Sequence, residues 1–477
     1  MPNETERMSA VDAAWLRMDR PTNLMMIVGV VVLDSKVSFK RFRRTIEQRF
    51  LKFPRFRCRA LQDALLARWE TDPGFKLDRH VTRVALPAPA GQAELEMLVS
   101  ELAGTDLDRD HPIWQFHFIE RFGDGSAVIL RIHHCYADGA AMIRVFLTLT
   151  DPSAQPDPAA QGRSAPAPEQ AAGDGTSLQW LARLNVPGAA LVQTAFAEGA
   201  QWLERAAAIA QDPRQAGEIA RHALGVAAEL ARVASLADDP PTRFKGELGA
   251  RKTAAWTDPL PLGDVKCVAR ALGCTINDLL MSTAAGALGS YLREHGEDTD
   301  GMTIRATVPV NLRDPQSAPT LGNRFGLVFL DLPVGIQNPL ERLFAVHASM
   351  SALKSSYQPL LTLGLMAALG SLPGAVQSAA IDLLSTKATA VATNVPGPQQ
   401  AMYLAGVRIA RMIFWVPQSG DIGLGISILS YAGQVQFGLI ADYRRVPDPG
   451  EVTAKFHQEF DKLVLALLLG PYLENGC

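Results

Sequence analysis

A chain of 477 residues exceeds the usual size of a single core, and with 48% apolar residues it can bury two. A formal charge of −3 and the lack of a long basic run argue against nucleic acid as a partner. The five cysteines (Cys58, Cys135, Cys267, Cys274 and Cys477) show neither metal nor disulfide spacing, so a reducing compartment is the simplest expectation.

The polar start, Met1 to Arg7, does not read as a signal peptide. Ser9 to Leu16 reads as a short capped helix leading to Asp19-Arg20-Pro21, and Met25 to Leu33 as an apolar strand. Val37 to Phe50 alternates basic and apolar residues at helical spacing. Phe53 to Arg59 reads as the entry to a strand with arginines on one face. Ala93 to Leu102 is an expected helix and Leu107 to Trp114 a loop. Trp114 to Phe122 and Ser126 to His133 form an expected hairpin around Gly123-Asp124-Gly125.

The hairpin ends in the stretch around which the chain is organised, Arg131-Ile132-His133-His134-Cys135-Tyr136-Ala137-Asp138-Gly139. It is followed by a helical run, Ala140 to Leu147. Side chains alternate faces along a strand. His134 therefore shares a face with Val128, Leu130 and Ile132, and His133 shares the other with Ala127, Ile129 and Arg131. Two histidines pointing opposite ways do not converge on a metal. They suit one imidazole facing a cavity, where a neutral ring accepts a proton near pH 7, and one supporting the fold. Asp138 either caps the following helix or pairs with a buried arginine, Arg131 or another.

Beyond this stretch, Asp151 to Gly175 is rich in Pro, Ala, Gly and Gln and reads as an exposed linker. Ser177 to Ala237 is alanine-rich and helical. It suits helical packing between the two halves or a membrane-surface patch. Asp238 to Arg251 is a polar connection and Leu262 to Leu272 a helix. Thr275 caps an expected helix from Ile276 to His295, with Asp278 in the position of a capping-box acid. Strands are expected at Met302 to Asn311, Phe325 to Leu332, Thr389 to Thr393 and Arg411 to Pro417. Leu424 to Tyr431 and Gln434 to Tyr443 form a second hairpin. Amphipathic helices are expected at Asn338 to Ser355 and Asp448 to Leu469. Tyr357 to Ile381 carries no charge and is long enough to span a bilayer. Its prolines and glycines favour two buried or membrane-facing helices broken near Pro373. Strands and helices alternate in both halves, with more hairpins than crossovers, which indicates α/β lobes with mixed sheets.

The HHxxxDG pattern at His133 to Gly139 resembles that of the CoA-dependent acyltransferase superfamily. Three further segments narrow the resemblance to the bacterial wax ester synthase/diacylglycerol acyltransferases. They are Pro112-Ile113-Trp114, Asn277-Asp278 and Thr393-Asn394-Val395-Pro396-Gly397-Pro398. The resemblance runs from about Met8 to the C-terminal region. It implies an α/β fold of two chloramphenicol-acetyltransferase-like lobes with a helical linker. The expected divisions are residues 1–150, 151–245 and 246–477.

Family resemblance further implies acyl transfer from long-chain acyl-CoA, the co-substrate, to a fatty alcohol or diacylglycerol, with no bound cofactor or metal. It places the protein in the cytoplasm, at the inner face of the membrane or on lipid droplets. His134 is the expected general base of a ternary complex and His133 its support. Asp138 is expected to be structural, and Asn277 is the candidate donor to the oxyanion. Asn277-Asp278 also fits a purely structural helix start, and Trp114 fits either core or the lining of an acyl tunnel. Arg55, Arg57 and Arg59 fit either a solvated edge or phosphate contacts to coenzyme A. Segments such as Met281 to Leu288 and Leu360 to Leu372 fit either helix packing or tunnel walls. A Cys135–His134 acyl-enzyme, a carrier-protein-dependent condensation enzyme and a catalytically silent lipid-binding protein are the competing readings.

Overall fold

The computed structural model describes residues 5–63, 67–155, 235–312, 321–354, 359, 362–364, 366 and 374–469. The expected linker helices therefore lie mostly outside the described residues, as does about half of the charge-free span after residue 356, including the expected break at Pro373.

In chain order the strands are β1 (Thr5–Arg7), β2 (Met26–Leu33), β3 (Cys58–Gln62), β4 (Ala67–Thr71), β5 (Val81–Val84), β6 (Trp114–Phe122), β7 (Gly125–His133), β8 (Thr150–Asp151), β9 (Lys252–Trp256), β10 (Leu260–Pro261), β11 (Ile304–Asn311), β12 (Phe325–Leu332), β13 (Ala390–Pro396), β14 (Tyr403–Leu404), β15 (Val407–Trp415), β16 (Leu424–Tyr431) and β17 (Gln434–Asp442). The helices are α1 (Ala10–Arg17), α2 (Phe39–Arg49), α3 (Leu77–His80), α4 (Gln92–Ala103), α5 (Gly139–Thr148), α6 (Leu262–Ala271), α7 (Ile276–Glu294), α8 (Pro339–Lys354), α9 (Gly374–Ser385) and α10 (Pro449–Leu469).

Two seven-stranded mixed sheets carry the fold. The first runs β5-β6-β7-β2-β15-β14-β8 and the second β10-β17-β16-β13-β11-β12, with β9 also on β17. β13 pairs in parallel with both β11 and β16. Both expected hairpins form. Ala432 and Gly433 take positive φ (48° and 79°), which suits the two-residue turn between the paired Tyr431 and Gln434.

The sheets do not divide where the chain halves do. β14 and β15 come from the segment 246–477 but sit in the first sheet, where β15 pairs with β2 (Met412 opposite Val31). The first sheet thus needs both halves of the chain. β9 follows directly on the polar connection. Its five residues are all buried, so it lacks the alternation that marks a half-exposed strand.

Ser9, Ser38, Asp138 and Thr275 cap α1, α2, α5 and α7 through their side chains. The core beneath the first sheet is aromatic: Phe42, Phe50, Phe56, Trp69, Phe116 and Phe118 pack with Trp114. Trp114 is fully buried, donates its indole N–H to the Phe56 carbonyl at 2.8 Å and stacks on His80, so its place is core. The second core wraps α7. Met281, Ala284, Ala285, Ala287 and Leu288 are buried in it, and the expectation that they line a tunnel gives way to helix packing.

The arginines after Phe53 differ from expectation. Pro54–Arg57 is a 3-10 turn and the strand starts only at Cys58. Arg55 pairs with Glu6 at 2.8 Å and Arg59 with Glu70 at 2.5 Å, which favours the solvated-edge reading over phosphate contacts. Among the described cysteines, Cys58, Cys135 and Cys274 keep reduced thiols, whereas Cys267 is disulfide-bonded, against the all-thiol expectation.

Candidate active site

β7 pairs with β2 so that His133 lies opposite Met26, and the His134 N–H continues the ladder by donating to the Met25 carbonyl at 2.7 Å. Beyond His134 the chain turns through Cys135 to Ala137, and Asp138 starts α5. Both histidines are 3% exposed, and they serve different neighbours.

His133 is tied into the first lobe. Its Nδ1 accepts the Cys135 N–H at 3.2 Å and its Nε2 lies 3.3 Å from Asp19 Oδ2. An accepting Nδ1 leaves the neutral ring's proton on Nε2, aimed at the carboxylate. Asp19 also accepts the Met25 N–H at 2.6 Å and pairs with Arg109. Burial works against its charge, but hydrogen bonds from His133 and Met25 and the Arg109 charge keep its carboxyl below the usual range.

His134 faces the second lobe. Its ring lies between Trp15 of α1, centroids 4.4 Å apart, and the edge of Phe325 of β12 at 5.6 Å. Its carbonyl accepts the Asn323 side-chain N–H at 2.9 Å. Its Nδ1 is buried and has no hydrogen-bond partner among the described residues. Burial pulls the imidazole pKa down to about 4, while the Asp138 carboxylate acts the other way. The ring is therefore neutral at pH 7.

Asp138 holds the turn. Oδ1 accepts the Ala141 N–H at 2.9 Å as the α5 cap, and Oδ2 accepts the Arg324 backbone N–H at 2.8 Å. The Asp138 N–H reaches the Gly322 carbonyl at 3.3 Å, and the Gly322 N–H reaches the Tyr136 carbonyl at 2.9 Å. A segment of the second half, Gly322 to Arg324, is thus zipped along the turn. Arg131 plays no part here. It lies on the face of His133 and donates to the Leu102 and Thr105 carbonyls at 2.8 and 2.6 Å, where α4 ends.

On the Leu130 and Ile132 face of β7 a cavity opens between the lobes, and His134 is not among the residues that line it. Leu130 and Ile132 of β7 line it, with Ile27, Phe414, Gly139, Met142 and Phe146 from the first sheet and α5 and Thr393, Val395 and Leu429 from the second sheet. Thr393 is its one polar side chain among the described residues.

Asn277 is not brought to this face. Ala390 and Ala392 of β13 pack in the core around α7, whereas Thr393 and Val395 face the cavity. Strand alternation puts Asn394 on the α7 side, where its side-chain N–H donates to Asn277 Oδ1. The Asn-Asp and Asn-Val-Pro-Gly-Pro segments therefore meet each other behind β13. Asn277 Oδ1 thus holds Asn394, while its Nδ2 is buried without a hydrogen-bond partner among the described residues. Asp278 completes the capping box with Thr275 (3.0 and 3.1 Å) and accepts from His347 Nδ1 at 2.8 Å.

Sequence reasoning passed over Asp12, Asp19 and Asn323. Asp12 sits on the buried side of a short helix and Asn323 in an apparent turn before a strand. Only their long-range partners distinguish them from ordinary polar residues.

Burial also brings the His117 pKa to about 4. Unfolding restores both His117 and His134 to about 6.5. The unfolded chain then binds more protons between pH 4 and 6.5, so this contribution is complete above pH 6.5 and lost as pH falls toward 4. The slope is about 1.4 kcal/mol per pH unit for each group. Urea unfolding of His117→Gln between pH 7 and 5 should show a shallower loss of stability than wild type. Equal slopes would refute the burial argument.

Comparison with known proteins identifies the family. Residues 8–280 match the model of the wax ester synthase/diacylglycerol acyltransferase catalytic domain, and residues 321–464 match the WS/DGAT C-terminal domain. A putative diacylglycerol O-acyltransferase of Mycobacterium tuberculosis is 30% identical over 476 residues, covering 96% of this chain and 90% of its own length. A second protein of that organism, a probable diacylglycerol O-acyltransferase, is 29% identical over 469 residues, covering 96% and 95%. Among solved structures, the wax ester synthase/diacylglycerol acyltransferase of Marinobacter aquaeolei VT8 superposes with a TM-score of 0.66 at 20% identity, covering 97% of this chain and 100% of that one. The first condensation domain of the calcium-dependent antibiotic synthetase follows with 0.58 at 14% identity, covering 97% and 96%. The fold is thus the two-lobed α/β fold shared by these acyltransferases and condensation domains, and the chain belongs to the wax ester synthase/diacylglycerol acyltransferase family of enzymes.

Proposed function

We propose that this acyltransferase moves a long-chain acyl group from acyl-CoA to the hydroxyl of a fatty alcohol or a diacylglycerol, with both substrates bound together and His134 as general base. The observation that carries this reading is a neutral imidazole that directly follows the strand whose Leu130 and Ile132 line an apolar cavity between the lobes. Each methylene buried in such a cavity contributes about 0.8 kcal/mol, so chain length can supply most of the affinity.

A thioester carbonyl is already electrophilic, whereas an alcohol is a poor nucleophile. His134 takes the hydroxyl proton as the oxygen attacks the carbonyl carbon. The tetrahedral adduct collapses by breaking the C–S bond, and the imidazolium returns the proton to the departing thiolate. While it lasts, the imidazolium is favoured by the Asp138 carboxylate. His133, held by Asp19, anchors the turn without entering the chemistry.

Cys135 does not fit an acyl-enzyme. It is fully buried, and burial raises its pKa well above the ordinary thiol value, so the nucleophilic thiolate is suppressed. Cys135→Ala is expected to keep ester formation within a few-fold of wild type. Loss of activity with retained folding would reinstate the covalent route.

Such substrates place the reaction at a membrane or lipid-droplet surface. Among the described residues no helix is long and apolar enough to cross a membrane. The end of α10 exposes Leu465, Leu468 and Leu469, an apolar patch suited to lipid contact. The reading is tested by incubating purified protein with palmitoyl-CoA and either hexadecanol or a diacylglycerol. Wax ester or triacylglycerol should form with one CoA released per ester. Absence of both esters from folded protein would contradict it.

A further inference from the structure

Behind His134, polar groups from three distant stretches meet in the interior. Asp12 comes from α1, Asn323 from the segment zipped onto the turn, and the His134 carbonyl from the turn itself. Asp12 and Asn323 are 3% and 5% exposed. Asp12 Oδ1 accepts both the Asn323 backbone N–H at 3.0 Å and its side-chain Nδ2 at 2.7 Å. Asn323 Nδ2 also donates to the His134 carbonyl at 2.9 Å.

This arrangement fixes which way the amide points. Asp12 and the His134 carbonyl are both acceptors, so a flipped amide would set its oxygen against two oxygens. With both Nδ2 hydrogens committed, Oδ1 is left as a buried acceptor without a partner among the described residues. His134 Nδ1 is also without one, as is Nε1 of Trp15, whose ring packs on that imidazole. Unpaired buried polar atoms are uncommon in native interiors, and each calls for an explanation. A ring N–H directed toward the Asn323 side-chain oxygen is among the influences that raise the proton affinity of His134.

We propose that Asn323, held in place by Asp12, is a positioning residue for His134: it fixes the carbonyl of the turn and offers Oδ1 as the acceptor toward the Nδ1 edge of the ring. Asn323 touches neither substrate. The inference rests on the reading of His134 as the base. It explains why a strand segment from the second half is zipped onto a turn of the first. A neutral imidazole presents one nitrogen as donor and one as acceptor, and the partner of the first sets which edge serves as the base. Asp12 thereby acts on the reaction through two intermediaries. Its own carboxyl is pushed up by burial and pulled back by the hydrogen bonds from Asn323 and Ser9, so the pair depends on each other.

The test uses the full chain and steady-state assays with palmitoyl-CoA and hexadecanol, with His134→Ala alongside. Asn323→Ala should lower kcat about 10–100-fold, the size associated with losing the orienting partner of a functional imidazole, and leave the KM for palmitoyl-CoA within about three-fold. The double variant Asp12→Asn/Asn323→Asp restores a donor–acceptor contact between the two positions. Its aspartate cannot donate to the His134 carbonyl, however. It should regain thermal stability without regaining kcat. A purely structural role predicts that kcat recovers together with the melting temperature, and that result would overturn the proposal. So would wild-type kcat in Asn323→Ala while His134→Ala is inactive. Full activity in His134→Ala would instead remove the underlying reading of the base. Should Asn323→Ala fail to fold, Asp12→Leu removes the acceptor that holds the amide at similar volume and carries the same expectation of lowered kcat at unchanged KM, with unchanged kcat counting against the proposal.

Discussion

Replacing His134 by alanine is expected to lower kcat for ester formation by about 10²–10⁴-fold, the range that a positioned general base supplies. The KM for acyl-CoA should change little, because the thioester reaches the imidazole only through the hydroxyl proton that the imidazole removes. The loss should not trace to unfolding. The ring is packed by Trp15 and Phe325, and removing it leaves a cavity, but the turn is held by other groups. Asp138 caps α5 and accepts from Arg324, and the His134 N–H and carbonyl bonds are made by the main chain. Circular dichroism should therefore report a folded variant. His134→Gln, which restores bulk but no base, should remain as inactive as the alanine variant.

The second large effect lies far from the chemistry. Arg342→Ala is expected to destabilise the second lobe by about 3–5 kcal/mol, the range for breaking a buried ion pair by removing one partner. Arg342 is fully buried and donates to Glu459 Oε2 at 2.5 Å, to the Ser282 carbonyl at 3.0 Å and to the Ile336 carbonyl at 3.0 Å. These bonds join α7, α8 and α10. Gly286 makes the approach possible, since a Cβ there would come within 2.5 Å of both the guanidinium and the Glu459 carboxylate. Burial works against the charge of Glu459, but Lys462 and Arg342 more than offset it and hold its carboxyl below the usual range. Without Arg342 the carboxylate keeps Ser290 and Lys462 but loses its buried cation. Urea unfolding should show the loss. Arg342→Met/Glu459→Leu, which removes both charges, should recover most of it. A double variant as unstable as the single one would indicate that packing, not the uncompensated charge, dominates.

Local rules carried the sequence reading a long way. Trp114–Phe122, Phe325–Leu332 and Leu424–Tyr431 form as strands with the limits their alternation implied. The caps at Ser9, Asp138 and Thr275 involve residues three apart, so they too were legible. What escaped depends on contacts across hundreds of residues. Nothing within Val407–Trp415 says that it pairs with Met26–Leu33 in the other lobe. Likewise, nothing around Asn323 says that its amide reaches His134. That Asn277 meets Asn394 follows from which side of β13 faces the cavity. That is a property of the assembled sheet, and the Asn-Asp pair itself does not encode it.

Direct transfer with His134 as base is decided by following CoA thiol release from palmitoyl-CoA, with and without hexadecanol, for wild type and His134→Ala at equal folded concentration. Wild type should release CoA only when hexadecanol is present, and the variant should do so about 10²–10⁴-fold more slowly. A stoichiometric burst of CoA without the alcohol, or an undiminished rate in His134→Ala, would contradict it.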